Sequence, residues 1–390
     1  MDNGRELTAN DLSNWKMIER FQTELAAVAR KAKFHRTFDE LNRKLDYQSY
    51  LSLFLLGVFN PVIESMRSLC AVSGLSKVQQ QLRCPKVSLG SFSEAQNVLD
   101  PDLLKQVFEG LVQKSTLSSK ADPRLMHLEL IAQDGSLWSA LPRMAWAEYG
   151  VGRKGQAKGV RLHLRFNILK DSPEDALVTH GNSCEAQALR EMLLPGQTNV
   201  ADRYYGKDYQ LLAEINHAGA FFVFRISDSA VINSQQELVL SPAERGAGIL
   251  RHAWVQLGAT EKLRTIRLRL VEIQRDGQHL LLVTNHPVET VPAELVSLIY
   301  RRRWSIELFF RWIKCILGCR HFFAESPEGA TIQIYLALIA ALLLQLFTGS
   351  RPNKRVMEFL QLYMMGWATA QEVIELIQSQ ALKTQKAKRA

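Results

Sequence analysis

The stretch YRRRWSIELFFRWIK, residues 300–314, sets a single carboxylate, Glu307, among the cations Arg301, Arg302, Arg303, Arg311 and Lys314. Cations at this density suit a polyanion. The acid has two readings. It can close an i,i+4 ion pair, since Arg303 and Arg311 each lie four residues away. It can instead hold something cationic against the polyanion. Read as one continuous helix at 100° per residue, Tyr300, Arg303, Glu307, Arg311 and Lys314 share an arc of roughly 80°. Ile299, Ile306, Phe309, Phe310 and Ile313 form the apolar stripe beside it. An exchangeable salt bridge belongs on the outer face, whereas this acid borders the core. A functional role is expected.

The rest of the chain sets the class of partner. Its 390 residues are 47% hydrophobic and 22% charged, enough for two or three globular domains. The net charge of +9 and a pI near 9.3 favour an acidic partner, nucleic acid or an anionic membrane face. The opening MDNGRELTANDLSNWK has no apolar segment of a secretory signal. The longest apolar run, Ile334–Phe347, falls short of the ~20 residues that span a bilayer and reads as a buried core helix. Five scattered cysteines are expected as reduced thiols in a cytoplasm. Nucleic acid becomes the leading partner.

Residues 1–118 read as helical. Within them, residues 76–99 look like helix, turn, short helix, with Ser91 as N-cap and Glu94 completing a capping box. That pattern is compatible with a helix-turn-helix reader of DNA, and equally with any small helical bundle. From about residue 125 the period changes to alternation, in LMHLELIAQDGSLW and VRLHLRFNIL. A third strand, a helix, the strand QTNVADRYYG ending in turn residues, and a further helix follow. Residues 221–284 return to strands without helices, including ELVL at 237–240 and a hairpin turn at RDGQ, 275–278. The chain then turns helical again. A mixed sheet flanked by helices is expected.

Several motifs fail on inspection. GVGRKG, residues 150–155, matches G-x-G-x-x-G but runs into a strand, so it lacks the helix N-terminus a dinucleotide needs. Cys315, Cys319 and His321 are three ligands where zinc wants four, with no second pair elsewhere. The carboxylates say more. Asp134 closes an apolar strand before Gly135, and Asp202 follows another strand. Either alone suits a plain turn. Joined by a helical glutamate, they make three carboxylates able to hold two Mg²⁺ ions beside phosphate oxygens.

Tyr300-x2-Arg303-x3-Glu307-x6-Lys314 is similar, position for position, to the Y-R-E-K signature of insertion-sequence transposases of the group named after the fourth insertion sequence. These are DDE enzymes of bacterial mobile elements. QDGSLW (133–138) resembles the first aspartate block, VADRYYG (200–206) the second, and RLHLRFNIL (161–169) the strand between. ESPEGATIQIYLALIA (325–340) resembles the segment after the signature. The likeness covers roughly residues 38–350 and departs at Tyr204, where many relatives carry glycine.

The resemblance implies a ribonuclease-H-like α/β core with a β-rich insertion and an all-α N-terminal domain. It divides the chain into a helical DNA-end-binding domain (1–118), the core's first part (119–220), the β-rich insertion (221–290), the core's second part (291–350) and a helical C-terminal tail (351–390). It also implies Asp134, Asp202 and Glu307 as catalytic metal ligands for two Mg²⁺ or Mn²⁺ ions, with Tyr300, Arg303 and Lys314 on DNA phosphates. The partners would be double-stranded DNA, both terminal inverted repeats and target, and a second copy of the chain on that DNA. The expected place is the bacterial cytoplasm, at the nucleoid and off the membrane. Two other readings share these residues: a metal-dependent nuclease without strand transfer, and an inactive DNA-binding relative.

Overall fold

The computed structural model describes residues 16–31, 45–60, 62–118, 121–152, 155–263, 266–275, 277–317, 319 and 321–389. Along these, helices α1 (Lys16–Lys31), α2 (Tyr47–Phe59), α3 (Met66–Val72), α4 (Ser76–Leu82), α5 (Leu89–Val98) and α6 (Asp102–Val112) come first. Strands β1 (Leu130–Ser139), β2 (Glu148–Gly152), β3 (Gly155–Asn167) and β4 (Ser172–His180) follow. Next come α7 (Glu185–Glu191), β5 (Thr198–Ala201), α8 (Arg203–Gly206), α9 (Tyr209–His217), β6 (Phe221–Arg225) and β7 (Ile232–Glu237). Then α10 (Pro242–Gly246), β8 (Ile249–Leu257), β9 (Leu268–Arg275) and β10 (Gln278–Thr284). The chain ends in α11 (Ala293–Arg302), α12 (Trp304–Cys315), α13 (Pro327–Thr348), α14 (Lys354–Met364) and α15 (Ala370–Arg389).

These elements form two compact units. The first gathers Met1–Thr116, Trp138–Val160 and Arg311–Ala390. Its centre is α13, apolar all round because it is buried all round. By length and composition α13 could cross a membrane, yet 78% of its most apolar window is buried in the protein. The N-terminal helices share its core: the Phe108 ring meets Tyr335 edge-on at 5.8 Å, and Gln96 packs beside Gly329. The described helices before residue 118 therefore complete their core with a helix more than 200 positions away in sequence. The α5 cap differs from the expected one. Ser88, not Ser91, has the extended backbone of a cap, and its hydroxyl accepts from the Ser91 N–H. β2 pairs with β3 as a hairpin around Arg153 and Lys154, which lie outside the described residues, so GVGRKG opens onto a strand.

The second unit, Leu117–Leu137 with Arg161–Phe310, carries the sheet. With β4 pairing β3 beside the β2–β3 hairpin, the strands run β4-β3-β1-β5-β6 and then β10-β9-β8-β7. β1, β5 and β6 run parallel, and β6 to β7 extend the sheet through antiparallel pairs. The first five strands in this order, with helices following β4 and β5, are the ribonuclease-H-like arrangement. The β-rich stretch departs from expectation in two places. ELVL is not a strand; β7 stops at Glu237, and the α10 capping box of Ser241 and Glu244 takes the chain out of the sheet. The strands are thus interrupted by a helix. RDGQ does turn as expected, with Arg275 opposite Gln278 and Gly277 at φ +74°.

Candidate active site

The parallel ladder sets the site. β1 and β5 pair as Leu130↔Thr198, Ile131↔Asn199 and Ala132↔Val200. The pairing stops two residues short of Asp134 and Asp202, and the two carboxylates act on one another electrostatically. Just before the acids, the Gln133 amide donates to Asn199 Oδ1 at 2.9 Å, clamping the two strands. Asp134 stands mid-strand in β1 rather than closing it, because β1 runs on to Ser139 after its pairing with β5 has stopped. Asp202 is the N-cap of α8, where a plain turn was expected; its Oδ1 accepts from the Tyr204 N–H at 2.8 Å. Gly206 ends α8 against β6, and any Cβ there would meet the Arg225 carbonyl oxygen.

Burial pushes the Asp134 carboxyl up to about 7, and the charges of Glu185 and Asp202 add to the rise. Arg303 and the Gly135 N–H, which donates to Asp134 Oδ1 at 2.8 Å, oppose it. Glu185 opens α7 and is likewise raised, first by burial and then by Asp202. It is the acid that sequence reasoning missed. A glutamate in the first turn of a helix has an ordinary electrostatic explanation there, so nothing flagged it.

The signature residues are not on one helix. α11 ends at Arg302 and α12 begins at Trp304. Across the junction the bonds shorten to i,i+3: Arg303 N–H to the Tyr300 carbonyl and Ile306 N–H to the Arg303 carbonyl. The single-wheel geometry therefore fails, with no Gly or Pro to announce the break. Arg303 Nη2 donates to Glu307 Oε1 at 2.5 Å, so the i,i+4 pair is present. Burial alone would lower the Arg303 guanidinium, but Tyr300, Glu307 and Asp134 hold it above its ordinary value. One guanidinium thus acts on both Glu307 and Asp134. Tyr300, with its phenol pushed up by burial, shares a cavity of about 350 Å³ with Arg225, Arg301, Arg303 and Trp304. Arg225, at the end of β6, is a second cation that sequence reasoning missed. Lys314 belongs to the other unit, where its ammonium sits 4.1 Å from the Trp138 ring centroid.

Carboxylate oxygens are hard donors, and that donor chemistry fits a Mg²⁺-type cation. Among the described residues no three His, Cys, Asp or Glu side chains converge on one point. Asp134, Asp202 and Glu185 act on one another, whereas Glu307 is held by Arg303. Cys315 is exposed and Cys319 is buried, its thiol pushed up to about 12 by burial; neither joins such a cluster.

The chain belongs to the transposase DDE domain family, which matches residues 127–343. A Sinorhizobium fredii chain named as a transposase is 30% identical over 53% of this chain and 58% of its own length. This chain therefore spans a little over half of that relative. A Geobacillus stearothermophilus chain named for insertion sequence element IS5377 is 24% identical, over 67% of each. A Synechocystis chain named for element IS4SA is 23% identical over 77% of this chain and 82% of that one. Among solved structures, a piggyBac transposase synaptic complex with hairpin DNA aligns at 9% identity and a TM-score of 0.43, over 96% of this chain and 84% of that one.

Proposed function

We propose that this chain is a DNA transposase that cuts the ends of an insertion-sequence element and joins them to target DNA. Asp134, Asp202 and Glu307 would hold divalent cations, two Mg²⁺ or Mn²⁺ ions. When bound, these would stabilise charge on the phosphate and lower the pKa of the attacking water. The observation that carries the reading is that Asp134 and Asp202, just past the paired parts of two neighbouring parallel strands, act on one another, with Arg303 acting on both Asp134 and Glu307. Two facing acids and a partly buried carboxyl raised to about 7 make a poor resting arrangement without a cation.

The remaining residues would bind DNA. Tyr300 and Arg303, with Arg225 and Arg301 in the same cavity, present cations and a phenol suited to phosphate oxygens. Arg303 would exchange Glu307 for phosphate, freeing that carboxylate. Lys314 would add a further phosphate contact from its place on Trp138. Helices α4 and α5 would read the terminal repeats, and two copies would act together on the two ends.

The test uses the DNA that flanks the coding region. Its short inverted repeats, supplied as duplex ends with Mg²⁺ and a target duplex, should yield cleaved and joined products. Cleavage without joining would reduce the chain to a nuclease. Shift of the duplex without cleavage would reduce it to an inactive DNA-binding relative.

A further inference from the structure

Glu185 is gripped from three sides. Arg161, anchored to the Gly181 carbonyl through Nε at 3.1 Å and Nη2 at 3.0 Å, gives its remaining nitrogen, Nη1, to Glu185 Oε1. The buried Tyr205 phenol bonds the same carboxylate. On the third side lies Gly135. A Cβ built there would stand 2.7 Å from both Cδ and Oε1 of Glu185. Gly135 is not among the residues with positive φ, so β1 does not need a glycine for its conformation. It needs the space. The strand next to Asp134 is pared to backbone so that this carboxylate can lie against it.

We infer that Glu185 is a positioning residue for the Asp134–Asp202 pair, fixing where the Asp134 carboxylate stands and adding negative charge where a divalent cation is received. The inference rests on the reading of Asp134 and Asp202 as cation ligands. A plain Arg161–Glu185 ion pair would explain the grip but not the glycine. Outer residues that orient metal ligands change metal affinity about 10–100-fold when removed.

The measurement is Mn²⁺ binding to the full-length protein without DNA, read as free Mn²⁺ by electron paramagnetic resonance, with melting recorded alongside. Glu185→Gln should weaken Mn²⁺ about tenfold or more. Gly135→Ala should do the same, because only the far end of the Glu185 side chain has to move. The double variant should be no weaker than Glu185→Gln alone, the coupling expected when both act through one carboxylate. Asp134→Asn is the control. Parent-like affinity in Glu185→Gln, with binding lost in Asp134→Asn, overturns the inference and leaves the site reading intact. Parent-like affinity in both overturns the two together. If Glu185→Gln does not fold, Gly135→Ala decides by itself: parent-like affinity there also overturns the inference.

Discussion

In the antiparallel strands β8 to β10, a buried cation has protein partners on several sides. Arg269, fully buried, gives Nε to His252 Nε2 at 3.1 Å and Nη1 to the carbonyls of His286 and Val291 at 2.9 and 2.8 Å. Because His252 Nε2 accepts, its proton sits on Nδ1, which faces Glu244 Oε1 at 3.5 Å. Burial holds this histidine near 4, so it stays neutral. In the parallel strands β1 and β5 of the same unit, acids instead meet acids, with Arg161 and Arg303 reaching in from the side. In the first arrangement protein atoms bond Arg269 at Nε and Nη1, and of its three nitrogens only Nη2 is left without a hydrogen bond. The second sets like charges together, and that imbalance is what separates a candidate site from a core.

The largest expected effect falls on the acids. Asp134→Asn, Asp202→Asn and Glu307→Gln should each cut cleavage of pre-bound end DNA on the order of 10³-fold or more in single-turnover assays. Glu307→Gln keeps the side chain's size and can still accept from Arg303, so it should fold and melt close to the parent. A folded Glu307→Gln that still cuts would return this acid to a structural role. Arg269→Ala should do the reverse. It should cost about 3–5 kcal/mol by urea unfolding, since His252 and two carbonyls lose their donor and Glu244 loses the nearby charge. Cleavage per folded molecule should hold, and a specific loss of cleavage would break the contrast.

A smaller effect belongs to Lys314→Ala, which should reduce the salt slope of end binding by about one unit while Mn²⁺ binding is unchanged. An unaltered slope removes Lys314 from the phosphate contacts. The last is a pH effect in chelator. The Asp134 carboxyl lies near 7 in the folded chain, above its ordinary ~3.9, so the native state binds the extra proton between those values. Stability should therefore fall as pH rises from about 4 to 7, and Asp134→Asn should flatten that part of the melting curve. An identical slope in both would place the titration elsewhere.

Much of this was legible in the sequence, for reasons that also mark where legibility stopped. Alternation identified β1, β3 and β8 to β10 because their inner residues are apolar. It missed β7, an edge strand whose residues are mostly exposed and polar, and fastened on Leu238–Leu240 instead, where Val239 is almost fully exposed. Asp134 and Asp202 stood out because each follows an apolar strand core. Glu185 did not, because its significance depends on Gly135 and Arg161, both distant in sequence. The break at Arg303 leaves no compositional trace, since Arg303 itself keeps helical angles.

The parallel ladder between β1 and β5 also has a kinetic side. β3, β4 and α7 lie between its strands in the chain, so it closes only after a long loop has been ordered. Such distant pairing comes slowly in folding. A slip of one residue would turn Asp134 to the opposite face of the sheet. Until that ladder is in register, a growing or half-folded chain has no paired acids. The acid pair is thereby withheld until the fold itself is complete.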